Sequence, residues 1–375
     1  MAFNYLETPS YPSFPELKAL ISSKFNVLDA YIDEKGIPNF IISPEITKEN
    51  FKKASKEFMK LNLMPFLRKE ENRYVIKILL KPFERKGKSN LLNLILLNAT
   101  LGTIFLAGYY SFINTPILKE ILMKGENAFF QAALFTISLF AIIGLHESGH
   151  ILACKIHGLT FSLPYFIPGP PPFGTFGAIV SLKSPPTNKD ELFDIGFAGP
   201  LAGFIATILI AILSFQLGFL VPEAEVAIWE QQKLVQRMDW PKSPLLFEIL
   251  LPLIRQIPQG FRLVLTQIEF AAWVGALLTF LNILPIWQLD GGHVARAIFG
   301  ASGHKIASLI GLIILIFSGY WFFALFLLVW MFGSGRGVVG AEPLDDVSPL
   351  SNSRKILYIL SIVMLILCFI AFPYF

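Results

Sequence analysis

Two histidines four residues apart, with a glutamate directly after the first, form the stretch HESGH at 146–150. On a helix, residues at i and i+4 share a face, so His146 and His150 can reach one metal ion. Glu147 follows the first of them and can reach a water at that ion, where a carboxylate serves as general base. The run from Ala141 to Cys154 is otherwise mostly apolar. An ionisable residue inside a membrane helix costs about 2.5–3.5 kcal/mol or more unless it is paired or functional. A polar cluster that merely glues helices together is the competing reading, and the spacing favours the metal. A catalytic zinc commonly takes three protein ligands and keeps a fourth position open. Cys154 and His157 share the face of the two histidines but lie a turn or more beyond His150, too far along the axis to complete the shell. Cys154 reads as a small packed residue, and His157 as a helix-end residue favoured by the dipole.

The better third donor is Asp290, in the stretch NILPIWQLDGGH at 282–293. Pro285 stops or kinks a helix there, and two glycines allow close backbone approach. Alone, such an aspartate reads as a cap or turn residue; beside HExxH at the same membrane face it reads as a ligand. His293, three residues on, is a further candidate for supporting or alternative ligation. One Zn(2+) per chain is the cofactor this set implies.

The chain has to place these groups inside a bilayer. Of its 375 residues 54% are hydrophobic and 15% charged, where soluble proteins average about 25% charged. Residues 1–90 hold an ordinary share of charge and read as a small soluble α+β domain. Segments 27–32 and 39–42 flank the turn-forming Asp33-Glu34-Lys35-Gly36, and 64–67 and 74–80 suggest a second hairpin. Between them, Phe51, Ala54, Phe58 and Leu61 fall on one helical face. From residue 91 to 375 long apolar runs take over. A span needs about 20 apolar residues, which gives about six transmembrane helices: 91–113, 128–154, 192–220, 263–284, 306–330 and 356–373. The fold class is therefore a multi-pass α-helical membrane protein with a small N-terminal soluble domain, its catalytic core at 128–305.

Lys81, Arg85, Lys86 and Lys88 ahead of the first span put the N-terminal domain in the cytoplasm by the positive-inside rule. The second and fourth spans then end on the cytoplasmic side, where both polar motifs lie. His146 and His150 lie about seven to eleven residues before the end of the second span, which at 1.5 Å per residue puts the ion about 10–16 Å below the cytoplasmic surface. The opening residues MAFNYLETPSYPSF form neither a basic-then-apolar signal nor an Arg/Ser-rich transit peptide, which points to a prokaryotic cell membrane. Net charge is only +4 and no basic stripe stands out, so no nucleic-acid partner is expected. The two cysteines, both in apolar runs, make no disulfide framework.

At this point the residues resemble the site-2 protease family of intramembrane zinc metalloproteases, peptidase M50. HESGH matches the family's HExxH, and 282–291 fits its N-x-x-P-x-x-x-L-D-G signature position for position. The small-residue run Phe197-Ala198-Gly199-Pro200-Leu201-Ala202-Gly203 resembles the helix between the two motifs. The stretch 174–178, GTFGA, is similar to the subgroup of plastid proteases and their prokaryotic relatives that lack a PDZ domain. The resemblance spans about 90–305. It implies zinc-dependent cleavage within or next to transmembrane segments of membrane proteins, as in regulated intramembrane proteolysis, with His146, His150 and Asp290 as ligands and Glu147 as base. It also implies that Asn282 is a conduit or substrate-positioning residue. The Gly199-x-x-x-Gly203 spacing itself is explained by helix packing.

A membrane metal transporter or binding protein is the alternative, but it would distribute ligands along a path, whereas four of the five histidines cluster at one membrane face. A prenyl-type protease would need a glutamate as third ligand, and Glu248 and Glu269 lie toward the opposite face. One further segment bears on substrate. Residues 161–183 are too rich in proline and glycine to span, and 176–182 reads as a short strand after a turn. Phe176, Gly177, Ala178, Ile179 and Val180 would then offer a free edge to an unwound substrate by strand addition.

Overall fold

The computed structural model describes residues 12–81, 90–115, 117–122, 127–232, 243–264, 266–333 and 341–371. The chain forms two compact units: Met1–Lys86 with Pro185–Leu192 and Glu342–Ser351, and the remainder.

In the first unit, helix α1 (Phe14–Ser22) begins where the Ser13 N–H donates to Glu16 Oε2 at 2.7 Å, a capping-box contact. Strands β1 (Val27–Ile32) and β2 (Pro38–Ile42) form the expected first hairpin. Its turn is closed by Asp33 Oδ1, which accepts from the N–H groups of Lys35 and Ile37 at 3.0 and 2.9 Å, the local bonding that favours aspartate in turns. Helix α2 (Lys48–Lys60) is capped by Thr47 and buries Phe51, Ala54 and Phe58. Strands β3 (Leu63–Glu70) and β4 (Arg73–Leu80) follow, joined by Glu71 and Asn72, both at positive φ. That two-residue turn matches the twist of paired strands. The sheet order is β1-β2-β4-β3, antiparallel throughout.

Two later segments complete this unit, beyond the 1–90 that composition delimits. Leu344 is fully buried in the core with Leu17, Phe40, Phe51, Phe58 and Ile76. The Leu67 N–H donates to the Leu344 carbonyl at 2.8 Å, and the Asp345 N–H to the Thr187 carbonyl at 2.8 Å. Asp345 thus bridges in parallel to both Leu67 and Asn188. Lys48 pairs with Asp190 at 2.5 Å and Lys52 with the buried Glu191 at 3.0 Å.

The second unit is built from helices. Helix α3 (Asn90–Ile113), a π-helical turn at Ile117–Leu122 and helix α4 (Ala128–His157) lead to a hairpin of β5 (Tyr165–Pro168) and β6 (Thr175–Ile179). Helix α5 (Lys189–Leu217) comes next, its residues up to Leu192 counted in the first unit. Beyond it, β7 (Phe219–Pro222), α6 (Glu223–Gln231), α7 (Leu245–Ile254) and β8 (Phe261–Val264) form a segment in which β7 pairs with β8. Helices α8 (Gln267–Ile283), α9 (Asp290–Phe317), α10 (Trp321–Gly333) and α11 (Asn352–Leu367) complete the chain.

Four of these helices, α3, α4, α5 and α9, are long and apolar enough to cross a membrane. The first three coincide with expected spans. The expected fourth, 263–284, is shortened: β8 takes its first residues and Thr266 caps α8. The expected fifth, 306–330, is corrected, since it is two helices. The Gly319 N–H folds back to the Ile316 carbonyl at 3.0 Å and the Tyr320 N–H to Leu315 at 3.0 Å, with Gly319 at φ 88°. This left-handed stop is open to glycine and ends α9 inside an apolar run. The sixth, 356–373, corresponds to α11. As expected, α4 ends at Gly158 in the left-handed conformation, φ 69°, and α8 ends ahead of Pro285.

Candidate metal centre

Helix α4 presents His146 and His150 on one face, and Asp290 begins α9 immediately after the turn 284–289. The three side chains converge. His146 Nε2 lies 3.1 Å from His150 Nε2, and Asp290 Oδ2 lies 3.2 and 3.3 Å from the two nitrogens. Bonds of 2.0–2.1 Å to a tetrahedral ion would separate its donors by about 3.3–3.4 Å. The near-equilateral triangle is thus one face of such a shell, and the donor set of two imidazoles and one carboxylate suits a borderline divalent ion. No other His, Cys, Asp or Glu joins this group among the described residues. Both histidines are 8% exposed and Glu147 is 5% exposed, so water reaches them only locally. Glu147 follows His146 on α4 and lies within electrostatic reach of all three donors.

A backbone carbonyl sets the tautomer of one ligand candidate. His150 Nδ1 is 2.8 Å from the Ile195 carbonyl oxygen, in a buried contact. The carbonyl can only accept, so Nδ1–H donates and Nε2 keeps its lone pair directed at the triangle.

Glycines on α5 make the room. A Cβ on Gly199 would fall on the His150 ring, one on Gly203 would come 3.1 Å from His146 Nδ1, and one on Gly196 would come 2.6 Å from the Asp290 carbonyl oxygen. The sequence reading explains Gly199 and Gly203 by helix packing; the structure shows that what packs there is the pair of imidazoles. The signal in the sequence is the run 196, 199, 203, which recurs on one helical face. A similar constraint explains the glycines after Asp290. A Cβ on Gly291 would overlap the carbonyls that end α8, and one on Gly292 the Trp287 carbonyl.

His293 stays outside the donor group, its Nδ1 buried without a hydrogen-bond partner among the described residues. Cys154 is fully buried against Ala153, Leu159 and Ile195. His157 is more than a helix-end residue: its Nε2 is 2.9 Å from Asp194 Oδ2, and Arg354 grips both oxygens of that carboxylate at 3.0 and 2.7 Å. Asn282 is half-buried in the last turn of α8. Phe176, Gly177, Ala178 and Ile179 lie in β6, which starts one residue earlier than expected. Val180 lies beyond its end, because the chain there leaves the ladder apart from a bridge between Phe161 and Leu182. Strand β5 occupies one edge of β6, while Phe176 is 69% and Ile179 44% exposed.

The model of Peptidase family M50 matches residues 134–326. A relative named "Probable zinc metalloprotease EGY2, chloroplastic" from Oryza sativa subsp. indica is 30% identical over 215 residues, which is 53% of this chain and 36% of the relative. "Probable zinc metalloprotease EGY1, chloroplastic" from Arabidopsis thaliana is 33% identical over 181 residues, 46% of this chain and 31% of the relative. "Probable zinc metallopeptidase EGY3, chloroplastic" from the same plant is 23% identical over 279 residues, 70% of this chain and 47% of the relative. The chain spans less than half the length of each of these relatives. No solved structure matches it.

Proposed function

The chain belongs to peptidase family M50, and from that premise we propose that it is an intramembrane zinc metalloprotease, hydrolysing peptide bonds within or next to transmembrane segments of membrane proteins. It is an integral membrane protein, with four helices among the described residues long and apolar enough to cross a bilayer. The observation that carries the proposal is the triangle of His146, His150 and Asp290 donors, 3.1–3.3 Å on a side, on helices of that kind. These three residues would hold one zinc per chain.

Bound there, zinc would supply Lewis acidity, lowering the pKa of a water toward about 7 and polarising a scissile carbonyl. Glu147 takes the proton from the attacking water and delivers it to the leaving amine. His150 is held in one tautomer by Ile195, and Gly199 and Gly203 let both imidazoles sit against α5. Substrate enters extended, because a helix locks its scissile amide in its own hydrogen bonds. In this reading the outer edge of β6, from Phe176 to Ile179 with Val180 just beyond it, pairs with the unwound segment, and Asn282 helps position it.

In this reading the first unit lies on one side of the membrane without crossing it. A soluble sheet must lie on one side, and this one contains residues from before α3, from 185–192 and from 342–351. The number of crossings between 192 and 342 is therefore even, whereas three single spans there would make it odd. In this reading α9 and α10, separated at Gly319, form an outgoing and a returning pair. The cytoplasmic side is supported by Lys81, Arg85, Lys86 and Lys88, of which all but Lys81 lie outside the described residues. The relatives, chloroplast proteins by name, do not extend to the prokaryotic cell membrane expected from the sequence.

The test is cleavage of a transmembrane-segment peptide by the detergent-solubilised chain. Cleavage should stop on zinc removal, return with zinc, and be absent in Glu147→Gln. Cleavage indifferent to zinc and to Glu147 would end the proposal, and zinc flux in liposomes without cleavage would mark a transporter.

A further inference from the structure

Trp287 is buried and takes φ 37°, a left-handed conformation that is an outlier for a bulky side chain. It stands in the turn between α8 and α9, three residues before Asp290. Such a conformation persists only where the surroundings over-determine it. Here both of its backbone polar groups are held by side chains from the part of α9 beyond its kink at Gly300, φ 69°. The Trp287 N–H donates to Ser308 Oγ at 2.9 Å, and His304 Nε2–H donates to the Trp287 carbonyl at 3.1 Å. His304 is 1% exposed and Ser308 is fully buried. Gly311 continues the same face, so close to the turn that a Cβ would come 2.6 Å from Ile286 Cγ1. The spacing 304, 308, 311 is one stripe of a helix, and that stripe cradles residues 285–287.

We propose that His304 and Ser308 are positioning residues for Asp290: they hold the left-handed turn at Trp287 and so set the carboxylate in register with His146 and His150. The inference rests on the reading of Asp290 as a zinc donor. With so short a lever, a return of Trp287 to an ordinary conformation swings Asp290 away from the two imidazoles. The start of α9 cannot compensate, because Gly291 and Gly292 already lie against the carbonyls of Ile283, Leu284, Ile286 and Trp287. His304 therefore acts through a backbone bond and is not a ligand, which accords with its absence from the donor group.

The test uses the full chain in detergent, with competitive zinc titration and the visible spectrum of the cobalt-substituted protein, whose band intensity reports tetrahedral coordination. Ser308→Ala and His304→Phe should each weaken zinc binding by about 10–100-fold, the usual cost of losing a supporting hydrogen bond at a metal site, and should lower the cobalt bands. Ser308→Thr keeps the acceptor and His304→Gln keeps an N–H donor; both should stay within about threefold of the parent protein. If Ser308→Ala does not fold, Ser308→Cys, with its weaker acceptor, should give an intermediate loss. Unchanged binding and spectra in the ablating variants, or equal losses in the Thr and Gln variants, would overturn the inference while leaving the zinc reading intact. Asp290→Ala separates the two: if it binds zinc like the parent, the zinc reading fails and takes the inference with it.

Discussion

His150 donates through Nδ1 to the carbonyl of Ile195 across 2.8 Å, and that bond ties one candidate ligand to the helix whose glycines make room for it. One residue earlier, Asp194 is gripped by Arg354 from α11 and by His157 from the end of α4. The register of α5 against α4 is thus set by polar bonds at residues 194 and 195, by the imidazoles seated on Gly199 and Gly203, and by the close approach of Gly149 to the Ala198 carbonyl, while Gly196 makes room for the start of α9.

The donors and the base should separate by zinc content. His146→Ala, His150→Ala and Asp290→Ala should each lose bound zinc and cleavage together. Glu147→Gln should keep zinc and lose about 10²–10⁴-fold in rate, the range for removing a general base. Metal analysis alongside cleavage of a transmembrane peptide checks both. Full zinc in Asp290→Ala would move the third donor elsewhere, with His293 the next to try.

Two alanines on α5 should differ in severity. Gly199→Ala places a methyl on the His150 ring, while Gly203→Ala places one in tight contact with His146 at 3.1–3.2 Å. Overpacking costs about 1–3 kcal/mol, and about 1.4 kcal/mol is tenfold in binding. Zinc affinity should therefore fall by about 10–100-fold in Gly199→Ala and by less than about tenfold in Gly203→Ala. Equal affinities in both variants would show that the rings yield freely.

Membrane topology is open to cysteine labelling in a variant lacking Cys154 and Cys368. Lys69→Cys and Glu342→Cys should react from one side of the membrane, and Glu225→Cys from the other; all three positions are exposed. Opposite labelling of Lys69→Cys and Glu342→Cys would contradict the sheet that binds Leu67 to residues 344 and 345.

Strand addition at β6 predicts an alternating response to proline, which removes an amide hydrogen. Proline at Ala178, Ile179 and Val180 in turn should lower cleavage sharply where the N–H faces the free edge and mildly where it does not, with zinc content unchanged. Uniform retention of cleavage would leave the hairpin as a cap on the bundle.

Local features were legible in the sequence. HExxH and its spacing set two imidazoles on one face, Gly158 ended α4, and the turn residues at 33–36 closed the first hairpin. What escaped was long-range or averaged away. His304 and Ser308 match no motif, because what they hold is the backbone of a residue in another segment. The imidazoles packed on Gly199 and Gly203 follow from how α5 meets α4, which a small-residue pattern alone does not specify. The stop at Gly319 is a turn of a few residues inside an apolar stretch, so a window of about 20 residues passes over it. The pairing of Leu67 with Leu344 joins distant parts of the chain without any periodic signature.

That last pairing has a consequence for biogenesis. Leu344 fills the core of the N-terminal unit, and its carbonyl accepts from the Leu67 amide. The unit made first therefore cannot finish its core until residue 344 has left the ribosome, after α3 to α10 have been synthesised. Completion of the N-terminal unit is thus among the last steps in making the chain, although most of that unit is made first. A chain stalled before residue 344 would carry an N-terminal unit whose core lacks Leu344 and whose Leu67 amide lacks its partner carbonyl.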